Sequence, residues 1–273
     1  MSTSLSLGFA ALAAHVPALI HVWRRTSAES PKAIPMVLFW MVLLVAIAGS
    51  AGTIGLQMMD GWHGGIASTI WISVAASLFA FGVCTVISAD TARLSPLMFP
   101  YMALLTALAL LLTSSDPGTA QYQSGIDAWL GIHIVVSIST YAVVTVAAIA
   151  GLAAFLQERA LKTKSTRGFV RHLPALAFSD RMTVRLLAAG ELILGLGIAS
   201  GFAQSVAAGA SGPTFDHKTI LSILAFAVIG MILWSHHKFG LRGQRAARGV
   251  LLAYLLLTLG YPGVKFVQDV LLN

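Results

Sequence analysis

Charged residues are scarce in this sequence: they make up 10% of its 273 residues, whereas hydrophobic residues make up 57%. A soluble domain carries about 25% charged residues, so this chain has too little charge to cover a surface that faces water. The mean hydropathy of +0.84 agrees with that comparison. The scarcity excludes an ordinary soluble domain and predicts an integral membrane protein.

Cysteine and the usual catalytic motifs are also lacking. The single Cys84 cannot form an intramolecular disulfide, and without CxxC or CxxCH there is no cysteine-based metal site and no site for covalent attachment of haem. We interpret Cys84 as a packing residue. GxSxG, HExxH, Walker motifs and paired intramembrane carboxylates are absent from the sequence, so we do not expect an enzyme.

Long apolar runs are what the sequence has in abundance. Each of eight runs can cross about 30 Å of hydrocarbon as a helix, in which the backbone satisfies its own hydrogen bonds. The runs cover residues 4–23, 36–59, 66–88, 97–113, 129–156, 183–208, 217–236 and 247–270. We therefore predict an all-α fold, a polytopic transmembrane helix bundle with about eight helices. It forms a single integral membrane domain, 1–273, with four helices in 1–128 and four in 129–273.

Of the 17 Lys and Arg residues, all but two lie in or beside alternate connections, after runs one, three, five and seven. Only Lys218 and Lys265 lie on the other side, which holds four aspartates. By the positive-inside rule, the basic connections face the cytoplasm and both termini face the outer (periplasmic) side of an inner (cytoplasmic) membrane. Orientation and contact with anionic membrane lipid then explain the net charge of +7, and we expect no nucleic-acid partner. His172, in the basic connection 157–182, is expected to be solvated.

His133 and His217 are the main candidates for chemistry, because ionisable residues in a membrane are functional candidates by default. His133 opens the fifth run just after Trp129, and His217 opens the seventh, so both lie near the outer side at similar depth. Two imidazoles on separate helices can ligate a haem iron from opposite faces. Ser137 and Tyr141 follow His133 at helical spacing, and these two residues and Trp129 are expected to hydrogen-bond around the ligand or line the same cavity. The alternative is that both histidines simply sit at helix ends near water.

Other polar positions leave alternatives open. His15 in the first run is either a polar contact inside the bundle or a further ligand, and His63 is a lesser candidate in an outward turn. Glu191 lies about two turns inside the sixth run and is either a hydrogen-bonded structural acid or a proton carrier. Gly197 and Gly201 form a GxxxG pair, which predicts close helix packing. A zinc site is not expected, because no third ligand stands at a suitable spacing.

From the fifth run onward, the sequence resembles the cytochrome c assembly family, which includes CcsA-, CcmC- and HemX-like membrane proteins, and most of all its YpjD/CorE-type inner-membrane branch. Five segments in the family's order carry the resemblance: GIHIVVSISTYA at 131–142, LPAL at 173–176, DHKTILS at 216–222, GLRGQRA at 240–246 and GYPGVKFV at 260–267. Residues 1–128 share only hydropathy with the family.

The resemblance implies a membrane protein that binds b-type haem non-covalently and acts in haem handling or cytochrome c biogenesis. His133 and His217 match the family's outward-facing histidines, and other cytochrome c biogenesis or haem-biosynthesis proteins are the implied partners. One departure concerns the haem-delivery members, whose tryptophan-rich outer segment is missing from 60–65 and 114–127. The alternative functions are a transporter or transport-associated protein for a small substrate or cation, and a regulatory membrane scaffold linked to haem biosynthesis.

Overall fold

The computed structural model of the chain describes residues 2–27, 36–59, 65–113, 128–164, 168–207, 216–240 and 243–263. Within these ranges the regular structure is helical and no strand occurs, which confirms the predicted all-α fold. The described α-helices are α1 (Ser2–Ala14), α2 (Val16–Ser27), α3 (Met36–Met59), α4 (Ile66–Ile87), α5 (Ser95–Leu112), α6 (Ala128–Lys162), α7 (Leu176–Ala207), α8 (His217–Phe239) and α9 (Gln244–Thr258). A π-helical turn, Leu259–Gly263, continues α9.

Seven helical segments in the described part of the chain are long and apolar enough to cross a membrane, so the chain is a multi-pass membrane protein. They correspond to the second to eighth predicted runs. The first predicted run, 4–23, is divided between α1 and α2, neither of which is long enough on its own. The last predicted run ends at 270, beyond the described residues.

A helix break at His15 divides the first run. Pro17 has no N–H to donate to the carbonyl four residues earlier, and the backbone N–H of His15 turns to the Leu12 carbonyl at 3.0 Å. The His15 ring contacts the carbonyl oxygen of Ala11 instead, at 3.0 Å from Nδ1. Its Nε2 lies 3.4 Å from the Thr106 hydroxyl. The imidazole is fully buried. These contacts support the interpretation of His15 as a polar contact that repairs the break.

The chain forms two compact units. The first unit comprises residues 1–121 and 156–176, and the second comprises 122–155 and 177–273. The division at 128/129 drawn from the sequence differs from this mainly in where it puts 156–176.

Aromatic rings form the core of the first unit. Phe39 of α3, Phe81 of α4 and Phe99 of α5 have ring centroids 5.8–6.2 Å apart. Between α1 and α3 the backbones approach closely, since a Cβ added at Gly49 would lie 2.6 Å from the Ala14 Cβ. Such packing holds helices together where lipid removes the usual hydrophobic driving force.

Gln157 organises the connection between α6 and α7, which is shorter than predicted because both helices are longer. Its side-chain Nε2 donates to the carbonyl oxygens of Val170, Leu173 and Pro174 at 3.1, 3.4 and 3.1 Å. The two protons of one amide are therefore shared among three backbone carbonyls that lie outside the α-helices.

His172 closes a short 3₁₀ helix, Gly168–His172, that packs against α2. The side chain is only 1% exposed, and its Nε2 accepts a hydrogen bond from Arg171 Nε at 3.1 Å. The prediction that His172 is solvated is therefore wrong. The basic residues around it suggested water, but the turn folds inward and buries its last residue.

The second unit is a four-helix arrangement of the 128–155 part of α6 with α7, α8 and α9. Its core takes small and aliphatic side chains from all four helices: Val144, Ala147 and Ala148 from α6; Leu187 and Leu194 from α7; Ala225, Ile229 and Ile232 from α8; and Val250, Ala253 and Leu257 from α9. Both predicted haem ligands, His133 and His217, belong to this unit.

Candidate functional site

His133 lies in the second turn of α6, and its imidazole packs against α7. Its Nδ1 is 3.1 Å from Ser200 Oγ, and a Cβ added at Gly201 would lie 3.1 Å from the ring carbon Cε1. At Gly197 an added Cβ would lie 3.4 Å from Val136. Both glycines of the predicted packing motif therefore face α6, and Gly201 is the one that faces the His133 side chain.

His217 is the first residue of α8 and is exposed. Asp216 caps this helix, because its Oδ1 accepts a hydrogen bond from the backbone N–H of Thr219 at 2.8 Å. Partial burial alone would raise the pKa of Asp216, but hydrogen bonds from Thr219 and the charges of Lys218 and His217 lower it. An anionic cap also suits the positive end of the helix dipole. The turn that carries His217 thus has a defined start.

Contacts of α7 with its neighbours place the two histidines at similar depth. Two close approaches set the antiparallel register of α7 against α8: Gly195 with Phe226, and Glu191 with Gly230. Extended along both helices, this register puts Gly201, the neighbour of His133, level with Ile220. His217 is three residues from that level, which is about 4.5 Å along the axis.

Contacts of α9, the other helix that packs against both α6 and α8, also place His133 and His217 at similar depth. The contacts of α9 with α6 and α8 include Tyr254 and Thr258 with Tyr141, and Gly249 with Ile232. In the π-helical turn that continues α9, Gly260 meets Leu221. These contacts put Tyr141 level with positions 223–227 of α8. His133 lies eight residues from Tyr141, about 12 Å along the axis, and His217 lies six to ten residues from that level, about 9–15 Å. Since α7 and α9 each contact both α6 and α8, the two histidines stand at one end of a closed four-helix arrangement.

Tyr141 faces α9, whereas His133 faces α7. The Tyr141 hydroxyl is 3.0 Å from the Tyr254 hydroxyl and 3.5 Å from Thr258 Oγ1. Its ring centroid lies 5.6 Å from that of Tyr254 and 6.0 Å from that of Tyr261. Eight residues of an α-helix turn the side-chain direction by about 80°. His133 and Tyr141 therefore contact different neighbouring helices, although both belong to α6.

Ser137 is half-buried between these two positions, and Trp129 is 49% exposed at the start of α6. Ser200, which holds the His133 ring, was not among the residues predicted from the sequence. A signal was present in GLGIASG at 195–201, where Ser200 lies directly before Gly201 in a glycine-rich stretch that a neighbouring helix approaches. A polar side chain there can reach across to the facing helix.

Glu191 lies deeper in its helix than predicted, about four turns from the first residue of α7, because the helix begins seven residues before the apolar run. Its Oε2 is buried without a hydrogen-bond partner in the described part of the chain. Its Oε1 approaches α8 where Gly230 has no side chain, since a Cβ added there would lie 3.0 Å away. The described residues hold no group of three or more metal-ligating side chains, and His63 lies outside them.

The His133 side chain suits axial ligation of a haem iron. An axial histidine coordinates through one ring nitrogen while the other is held by a hydrogen bond, which fixes the ring orientation. In His133 it is Nδ1 that is held, by Ser200, so Nε2 is the nitrogen available for iron. His217 would supply the second imidazole from α8.

Comparison with known proteins gives one family. A model of the cytochrome c assembly protein family matches residues 32–272. The chain is 42% identical over its whole length to an uncharacterised 28.8 kDa protein of the nifR3-like 5′ region of Azospirillum brasilense, which it also covers completely. It is 27% identical over 204 residues to the inner membrane protein YpjD of Escherichia coli K12, with 71% of this chain and 73% of YpjD aligned. No solved structure matches.

Proposed function

Because the chain belongs to the cytochrome c assembly family, we propose that it is a haem-binding membrane protein with His133 and His217 as axial ligands. The observation that carries the proposal is the matched depth of the two histidines on α6 and α8, two helices that both pack against α7 and α9. The haem is b-type, because the sequence has no CxxCH motif for covalent attachment.

The protein's own residues prepare the ligands. Ser200 holds the Nδ1 edge of His133, and Gly201 leaves room for the ring against the α7 backbone. Asp216 caps α8 and so defines the turn that presents His217. Haem bound there would supply an iron that can exchange one electron, with a potential tuned by these ligands and their hydrogen bonds.

The proposed role is haem handling or cytochrome c biogenesis without catalysis by the chain itself, with biogenesis or haem-biosynthesis proteins as partners. An inner-membrane location is supported by the likeness to YpjD, named as an inner membrane protein. The basic connections would face the cytoplasm, which would put the histidine pair and both termini on the outer side.

The test is an optical spectrum, oxidised and reduced, of protein purified in detergent from haem-replete cells. We expect a Soret band that His133→Ala and His217→Ala each weaken or shift. His237→Ala is the matched control, because this exposed histidine lies at the other end of α8. A wild type without haem, even after addition of haemin, would refute the proposal, and so would variants with an unchanged spectrum.

A transport function is the second candidate, and Glu191 favours it. An intramembrane carboxyl with a buried oxygen that has no partner among the described residues is a usual feature of proton and cation pathways. Purified protein in liposomes would then move H⁺ or Na⁺ down a gradient, and Glu191→Gln would abolish the flux. A wild type with no flux above empty liposomes would exclude this candidate without touching the haem proposal.

A further inference from the structure

Ser200 stands where α7 meets the His133 ring. Its hydroxyl oxygen is 3.1 Å from His133 Nδ1 and 2.9 Å from the carbonyl oxygen of Gly197, one turn earlier in α7. Both serine and histidine are half-buried. Gly201 follows immediately and brings the α7 backbone close to the same ring.

The number of protons available decides the direction of these hydrogen bonds. A serine hydroxyl has one proton and can accept further hydrogen bonds. A carbonyl oxygen only accepts, so the Ser200 proton goes to Gly197, and Ser200 Oγ must then accept from His133. Nδ1 of His133 is therefore the nitrogen that carries the proton.

A neutral imidazole has one N–H, and its other nitrogen has the lone pair. With the proton on Nδ1, the lone pair is on Nε2, the nitrogen left to ligate a metal. The hydroxyl also fixes the rotation of the ring, which an axial ligand needs. An alanine at 200 would remove the hydroxyl that Nδ1 faces.

We propose that Ser200 is the positioning residue of the haem site: it accepts the Nδ1 proton of His133 and so presents Nε2 for coordination. The inference rests on the proposed function for its haem part, but the tautomer of His133 is a property of the protein without haem. Removal of such a hydrogen-bonding partner typically weakens metal binding about 10–100-fold.

The first measurement is NMR on haem-free protein with ¹⁵N-labelled histidine, at a pH where the imidazoles are neutral. The His133 signal is the one that disappears in His133→Ala. We expect the Nδ1–H tautomer in the wild type and in Ser200→Thr, which keeps the hydroxyl, and a shift towards Nε2–H in Ser200→Ala. Ser205→Ala is the matched control, because that half-buried serine bonds to the Gly201 carbonyl on the same helix. A wild type in the Nε2–H form, or no difference between Ser200→Ala and wild type, overturns the inference.

The second measurement is haemin titration of the same variants. Ser200→Ala should bind haemin about 10–100-fold more weakly than wild type, whereas Ser200→Thr and Ser205→Ala should stay close to it. If His133→Ala removes binding but Ser200→Ala does not weaken it, the role of Ser200 fails and the proposed function survives. If the wild type does not bind haemin, the proposed function fails, and with it the haem part of this inference.

Discussion

The contact between Gly201 and His133 allows a sharp test, because three glycines of α7 face α6 with different clearances. An added Cβ would lie 3.1 Å from His133 Cε1 at Gly201, 3.4 Å from a Val136 methyl at Gly197, and 2.8 Å from a Val144 methyl at Gly190. Carbon atoms pack best at about 3.5–4.0 Å. Alanine at 201 therefore pushes the imidazole by a few tenths of an ångström, alanine at 190 pushes a valine, and alanine at 197 is close to ordinary contact.

Two opposing effects set the expected stabilities. Replacing glycine by alanine inside a helix gains about 0.5–1 kcal/mol, and overpacking costs about 1–3 kcal/mol. Gly197→Ala should therefore be neutral or slightly stabilising. The free energies of unfolding of Gly201→Ala and Gly190→Ala should be up to about 3 kcal/mol lower than that of Gly197→Ala. At about 2–4 °C per kcal/mol for a chain of this size, thermal unfolding in detergent resolves the difference.

Haem binding separates the two destabilised variants. Only Gly201→Ala moves the ring whose Nδ1 bonds to Ser200, so only this variant should shift the Soret band and weaken haemin binding. Gly190→Ala should lose stability alone, since Val144 lies three turns from His133. If Gly190→Ala and Gly201→Ala change haem binding equally, the effect is general loosening of the α6–α7 contact, and the assignment of His133 to the site is refuted.

Three further changes test other contacts of the described chain. Gln157→Leu removes the amide that serves three carbonyls and should cost about 1–3 kcal/mol, read as a lower unfolding temperature than wild type. Tyr141→Phe removes the hydroxyl that lies 3.0 Å from Tyr254 and should cost about 0.5–1.5 kcal/mol without loss of the haem spectrum. Asp216→Ala removes the cap bonded to Thr219 and should cost about 0.5–2 kcal/mol at neutral pH. Because the pKa of Asp216 is lowered in the folded chain, this stabilisation is present above its ordinary value of 3.8 and is lost as the pH falls through the lowered pKa, so wild type and variant should converge in acid.

Hydropathy predicted the helices well because a membrane span is a local property of the chain. The predicted runs 36–59 and 66–88 lie within one residue of α3 and α4. Departures occur where the decisive interaction is not apolar. Pro17 and the side chain of His15 divide a run that is uniformly hydrophobic in composition, and polar first turns extend α7 back to Leu176.

Side-chain partners were harder to predict, because they depend on which helices become neighbours. His172 reads as a loop histidine until the 3₁₀ turn packs on α2. Tyr141 was expected to line the same cavity as His133. Its side-chain direction differs from that of His133 by about 80° around the helix axis, so it contacts a different helix. Ser200 is hard to single out because serine is common in membrane helices, and only its place directly before Gly201 in a glycine-rich stretch distinguishes it. Its hydroxyl reaches His133 because Gly201 allows α6 to approach closely.

The same closeness links packing to chemistry in the second unit. A GxxxG pair is ordinarily read as a structural motif, yet here Gly201 meets an imidazole and Gly197 offers the carbonyl that takes the proton of Ser200. Close approach of the backbones is thus what brings the hydroxyl within 3.1 Å of His133. A larger residue at 201 would separate α6 from α7 and would at the same time break the hydrogen bond between Ser200 and His133. Helix packing and the position of the His133 ring are therefore set by one turn of α7, and a variant that changes either should be examined for both.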